Sequence, residues 1–244
     1  MRWLKTGACL ALLLPWAVAS FGADEVAKPR PVEALRGLND LIGSWRGIGT
    51  PEGTREQKQR GFWTETIAWS WQFKDGDAWL KASFDKGKYF SSGELRYLPK
   101  GELYQLTLVT PAKEAQVFQG KLKNHQLLLE RENHDKKQSE RFVLSLLHSN
   151  RFLYRFEVKP QERSVFSRLY EVGATKEGEA FAGSGDATPA CVVTGGKGTI
   201  KISYKGETFY VCCTGCRDAF KDNPEKFIKE YQERKAEEAK SKKR

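Results

Sequence analysis

Histidine is scarce in this chain, three in 244 residues, and methionine occurs once. The three are His125, His134 and His148, and each falls at or next to a predicted turn, where an imidazole is normally solvated. No serine or threonine stands with a nearby histidine in a nucleophile motif, and acids such as Glu65 occur singly. Without a Ser-His arrangement or a general acid–base pair, the expectation is a protein that is not an enzyme. After residue 19 no run is apolar enough to cross a bilayer as a helix, so no membrane span is expected. Recognisable nucleic-acid-binding motifs are also missing, although 41 Lys and Arg against 31 Asp and Glu give a formal charge of +10. The cations are mixed with acids until the last five residues, the pattern of a solvated basic surface, and no nucleic-acid partner is expected.

What the chain does have is aromatic bulk. It is 39% hydrophobic and 12% aromatic with seven Trp, which supports a packed fold rather than disorder. Residues 1–19 read as a secretory signal. Arg2 and Lys5 make a positive start, 8–19 is an apolar run broken by Pro15, and Ala17-Val18-Ala19 gives a small-x-small cleavage pattern. The run is too short for an anchor, and Cys9 sits at its start rather than after it, which argues against a lipid-modified cysteine. The expected location is therefore periplasmic or secreted. Residues 20–34, with Pro29 and Pro31, read as a linker.

Leu35, Leu38, Leu41 and Ile42 repeat at helical spacing and predict one short amphipathic helix. From Trp45 to Val172 the signal is β. Trp63, Ile67, Trp69, Trp71 and Phe73 share one parity, and Lys74-Asp-Gly-Asp77, Lys123-Asn-His125 and Ser149-Asn150 are turn signals between alternating runs. Eight to ten strands follow one another with no helix predicted between them. Closing such a series removes its exposed edges, so an antiparallel up-and-down β-barrel is expected over 35–182, with a two-sheet sandwich as the alternative. The aromatic face of Trp63, Trp69, Trp71 and Phe73 has two readings: the lining of a cavity for a small apolar ligand, or barrel core, which is the commoner fate of such stripes.

The short helix, Gly43-x-Trp45 and a basic residue on the last strand, Arg168, resemble the lipocalin and fatty-acid-binding (calycin) group. That resemblance implies a barrel whose end is closed by the Trp stacked with the basic residue. Gly43-x-Trp45-x-Gly47-x-Gly49 also looks like the haem-binding nitrobindin relatives of the group. Those need an axial histidine on a late strand, and with all three histidines at turns no haem is expected.

Four of the five cysteines lie between Cys191 and Cys216. Twenty residues separate Cys191 from Cys212 and three separate Cys212 from Cys216, a spacing at which thiolates suit a soft or borderline metal ion. After a Gly/Ser linker at 183–189, a predicted strand pair (199–204 and 208–211) leads into the knuckle Cys212-Cys213-Thr-Gly-Cys216. A helix follows over 217–221, Asp222-Asn223-Pro224 breaks it, and Phe227, Ile228 and Tyr231 mark a second one. Residues 233–244 read as a charged, solvated tail. A module of about 45 residues needs a staple. Disulfides from Cys191 to Cys212 or Cys213 would serve, as would a metal. A thiol oxidoreductase using Cys213-x-x-Cys216 would need a thioredoxin-like βαβ context that the chain lacks.

Cys191-Val-Val-Thr-Gly195, Tyr204-x-Gly206, Phe209-Tyr210-x-Cys212, Cys216, Phe220 and Asn223-Pro-Glu-Lys-Phe227 resemble the TRASH/YHS family of small metal-binding modules over 190–232. The resemblance implies a treble-clef-like (ββα) fold and zinc or copper bound by Cys191, Cys212 and Cys216. Such modules often carry a further cysteine three residues after the first, where this chain has Thr194. Cys213 is an additional thiol: a fourth ligand, a replacement for Cys212, or a spare. The expected fold class is mainly β, a calycin-like barrel followed by a small α+β cysteine module. The expected function is that of an exported, non-enzymatic metal-binding protein in metal sensing or trafficking. The alternative is a carrier of a small apolar ligand with the module as a stapled appendage.

Overall fold

The computed structural model describes residues 28–177 and 188–241, so the predicted secretory signal and most of the 183–189 linker lie outside the described residues. The helix expected from Leu35 begins earlier, as α1 (Pro31–Leu35), and tightens into a 3-10 turn over Arg36–Leu41. Leu35, Leu38 and Leu41 are fully buried. Ten antiparallel strands follow: β1 (Gly43–Pro51), β2 (Trp63–Lys74), β3 (Asp77–Asp85), β4 (Ser92–Leu98), β5 (Leu103–Val109), β6 (Ala115–Lys123), β7 (Gln126–Asn133), β8 (Gln138–His148), β9 (Arg151–Pro160) and β10 (Ser167–Lys176). Each pairs with its sequence neighbour and β10 returns to β1, so the sheet is a closed barrel.

Period-two alternation builds the wall. β5 alternates buried and half-buried along its length, with Tyr104, Leu106 and Leu108 inside. Tight turns set the register. Asp75-Gly76 and Asn124-His125 both have positive φ at their two central residues, the geometry whose twist matches the flanking strands. The three histidines fall outside the barrel interior, all exposed, as their turn positions predict.

One helix was not expected. Between β1 and β2 lies α2 (Arg55–Gly61), capped by the Thr54 hydroxyl, which accepts from the Gln57 N–H. It buries no residue, so the strands remain neighbours in the sheet around it.

Trp45 anchors one end. It is fully buried, its indole N–H donates to the Leu41 carbonyl at 2.7 Å, and Phe152 meets its ring edge-on at 4.7 Å. The cation above it is Lys176, with Nζ 5.1 Å from the ring, and not Arg168 as the resemblance suggested. The β1–β10 register places Trp45 opposite Lys176, whereas Arg168 lies far along β10 and binds Glu52 at 2.6 Å. Trp45→Ala is expected to destabilise the protein by about 3–5 kcal/mol, the range for a large buried aromatic, measured by urea denaturation followed by circular dichroism.

The second unit packs against this end. β11 (Ile200–Tyr204) and β12 (Glu207–Val211) form a hairpin, then α3 (Thr214–Asp222) and α4 (Pro224–Ser241) complete it. α3 starts three residues earlier than expected. The segment 233–241, expected as a loose tail, continues α4 through Ser241, because its Lys, Glu and Ala are strong helix formers whichever way they face.

Candidate metal centre

Cys191 is held by a tight loop. Its N–H donates to the Gly196 carbonyl at 2.6 Å, and the Gly195 N–H donates back to the Cys191 carbonyl at 2.8 Å. Gly195 has φ +79°, which a residue with a Cβ adopts only under strain. The Val192 N–H bonds to the Tyr210 carbonyl at 2.8 Å, tying this loop to the end of β12, just before the knuckle. Arg234 of α4 donates to the Val192 carbonyl at 2.8 Å and so clamps the loop from the other side.

Cys212 lies in the bend between β12 and α3 and Cys216 in the first turn of α3, with their sulfurs 3.4 Å from each other. The Sγ atoms of Cys191, Cys212 and Cys216 all lie within 4.8 Å of one another. Ligand bonds of about 2.3 Å put sulfurs about 3.8–4.0 Å apart around a shared ion, so this donor set fits a thiophilic metal. Thr194, fully buried, completes the pocket: its N–H reaches the Cys191 sulfur at 3.5 Å and its hydroxyl lies 3.6 Å from that of Cys212. The position where a fourth cysteine was looked for is thus filled by a hydrogen-bonding neighbour of two sulfurs.

All four cysteines of the module are free thiols. Hydrogen bonding by Cys212, then Cys216, pushes the Cys191 and Cys213 thiols down; Cys212 is pushed up by its contact with Cys191, and Cys216 by burial and then by Cys191. Thiolate is the form that binds metal.

Cys213 falls outside the three-sulfur group. As the N-cap of α3 it faces the barrel, and its sulfur accepts the Trp71 backbone N–H at 3.4 Å. That amide is available because β1 begins at Gly43, opposite Trp69, and β2 runs on past it. Gly215 is packed so closely that an added Cβ would run into the Trp71 carbonyl oxygen. Asn39 joins the pieces: it accepts from the Trp71 indole N–H at 3.1 Å and donates to the Thr194 carbonyl at 3.1 Å. The knuckle is thus built against a barrel strand.

The four aromatic residues proposed for a ligand cavity are divided between the junction with the module, the core and the far end of β2. Trp71 is stacked on Phe73, with centroids 5.6 Å apart, and Phe73 meets Phe227 of α4 at 6.5 Å, so these two belong to the junction with the module. Trp69 is buried in the core, and its indole N–H has no partner among the described residues. Trp63 lies at the far end of β2, edge-on to Tyr89 and Tyr170, with the Lys88 ammonium 4.7 Å above it.

Sequence reasoning passed over Glu65 as a single acid. The structure buries it inside the barrel at 3% exposure, accepting from the Tyr154 hydroxyl at 2.5 Å and the Trp63 indole at 3.0 Å. Burial first, then the Glu65 charge, push the Tyr154 phenol well above its usual value, so Tyr154 remains the donor. The signal was present: Glu65 shares the inward parity of Trp63 and Ile67.

Comparison with curated proteins gave no match. A solved structure titled "Structure of EF1p2_mFAP2b bound to DFHBI" aligns at TM-score 0.26 and 10% identity, covering 58% of this chain and 98% of that one. Residues 193–231 match the family model described as the YHS domain, and it is a YHS-type module that follows the ten-stranded barrel.

Proposed function

We propose that the protein is an exported, non-enzymatic metal-binding protein that holds one zinc or copper ion through Cys191, Cys212 and Cys216. One observation carries this reading: three sulfurs from two distant segments converge within 4.8 Å in a buried site. Thiolate donors favour thiophilic ions over calcium or magnesium, which prefer oxygen. Binding displaces the remaining thiol protons and ties the Cys191 loop to the knuckle, so ion affinity and module stability rise together. Export rests on the N-terminal sequence pattern. The barrel contributes a rigid wall against which the knuckle is set. Its interior is occupied by aromatic side chains, with Phe118, Phe142, Phe152 and Tyr154 all under 2% exposed, which argues against an apolar-ligand carrier.

Elemental analysis of the mature protein, purified without chelator and with its free thiols counted, tests the reading. About one thiophilic ion per chain is expected, with thiols that become reactive after chelation. A metal-free protein that takes up neither zinc nor copper when its thiols are reduced would refute it.

A further inference from the structure

Two adjacent cysteines have different surroundings. Cys212, partly buried, belongs to the three-sulfur group, while Cys191 and Cys216 are fully buried. Cys212 is therefore the member of the group that keeps some exposure. Cys213, 9% exposed, is turned to the barrel and held by the Trp71 N–H at 3.4 Å. Trp71 is fully buried and its amide faces the side where β2 has no strand partner, so the sulfur satisfies a donor that would otherwise be orphaned. It is held there by a single N–H···S hydrogen bond from the barrel. A sulfur able to ligate a metal is thus held one residue from Cys212.

We propose that Cys212 and Cys213 form an exchange pair for passing the ion to and from a thiol-bearing partner, an inference that rests on the metal-binding reading. The bond from the ion to the Cys212 sulfur breaks as the Cys213 sulfur leaves the Trp71 amide and bonds to the ion. If Cys213 enters as a thiol, its proton passes to the departing Cys212 sulfur; if it enters as a thiolate, Cys212 leaves as one, and the exchange balances either way. The ion keeps three sulfurs and its oxidation state throughout. Partner thiols then displace the protein's sulfurs in turn, each departing cysteine taking up the proton that an incoming thiol gives up. Arrival follows the reverse order. The barrel is part of this device, because its strand edge keeps Cys213 off the ion at rest.

The test uses the full mature chain, loaded anaerobically with copper(I), and follows release to the chromophoric chelator bathocuproine disulfonate. Wild type and Cys213→Ala are each expected to hold one ion, with release from Cys213→Ala slower by about tenfold or more. Cys212→Ala is expected to keep one ion at reduced affinity, because Cys213 takes its place, and the double Cys212→Ala/Cys213→Ala variant to hold none. Should Cys213→Ala disturb folding by near-ultraviolet circular dichroism, Cys213→Ser keeps an acceptor for the Trp71 N–H and is expected to show the same slow release. A loaded wild type with an empty Cys212→Ala, or release from the Cys213 variant at the wild-type rate, overturns the exchange pair alone. A wild type that takes up no copper(I) or zinc overturns the metal reading and the exchange pair with it.

Discussion

Gly215→Ala is expected to undock the cysteine module from the barrel. On an exposed helix this change stabilises by about 1 kcal/mol, because alanine is the better helix former. Here the added Cβ would meet the Trp71 carbonyl oxygen, a backbone atom of a strand already fixed by its pairing of Trp71 with Leu80. A flexible side chain could move aside, but this strand cannot without disturbing β3. The clash also falls on the residue whose N–H holds Cys213, so the knuckle has no short route to relax. The net change is expected to be destabilising by about 3 kcal/mol, the upper end for overpacking a well-filled contact. Urea denaturation of the full chain gives the sign directly. A Gly215→Ala protein as stable as wild type would mean that α3 does not rest on β2 in solution.

The second large effect is expected at Cys191. It is the one member of the sulfur group that comes from outside the 212–216 knuckle, and it is fully buried. Cys191→Ser replaces a soft donor with a hydroxyl that stays protonated at neutral pH. Cys213 does not compensate, because it belongs to the same knuckle as Cys212 and Cys216 and cannot supply the anchor from the distant loop. Changes to residues behind metal ligands typically cost ten- to a hundredfold in affinity, so removing the ligand itself is expected to cost more than about a hundredfold. Chelator competition measures this, and the thermal protection given by the ion should vanish with it. Unchanged affinity in Cys191→Ser would confine the site to the knuckle.

The barrel was legible because alternation and turn residues agree along most of it. Where they are silent, so was the sequence. α2 has no apolar residue to set a period, and only the capping pair Thr54 and Gln57 marks it. The choice of Arg168 over Lys176 followed from not knowing the register of the last strand; pairing Trp45 with Lys176 is a fact of closure that no local pattern carries. Parity showed that Trp71 and Phe73 point inward from β2 but not that β2 outruns β1, and that overhang makes them an interface. The sulfur group was readable from spacing and family resemblance. The role of the barrel in positioning Cys213 was not, since Trp71 and Cys213 lie 142 positions apart in the chain.

The overhang of β2 also bears on how the chain avoids association with itself. A closed barrel offers no strand to a neighbour except where one strand outlasts its partner, and one such place carries Trp71 and Phe73. An unpaired edge flanked by large aromatics is a template for intermolecular pairing. In the complete chain α3 and Cys213 cover it. The module therefore also acts as a guard against aggregation. A chain truncated after β10, or one whose module has come loose, would leave a sticky strand end open to other copies.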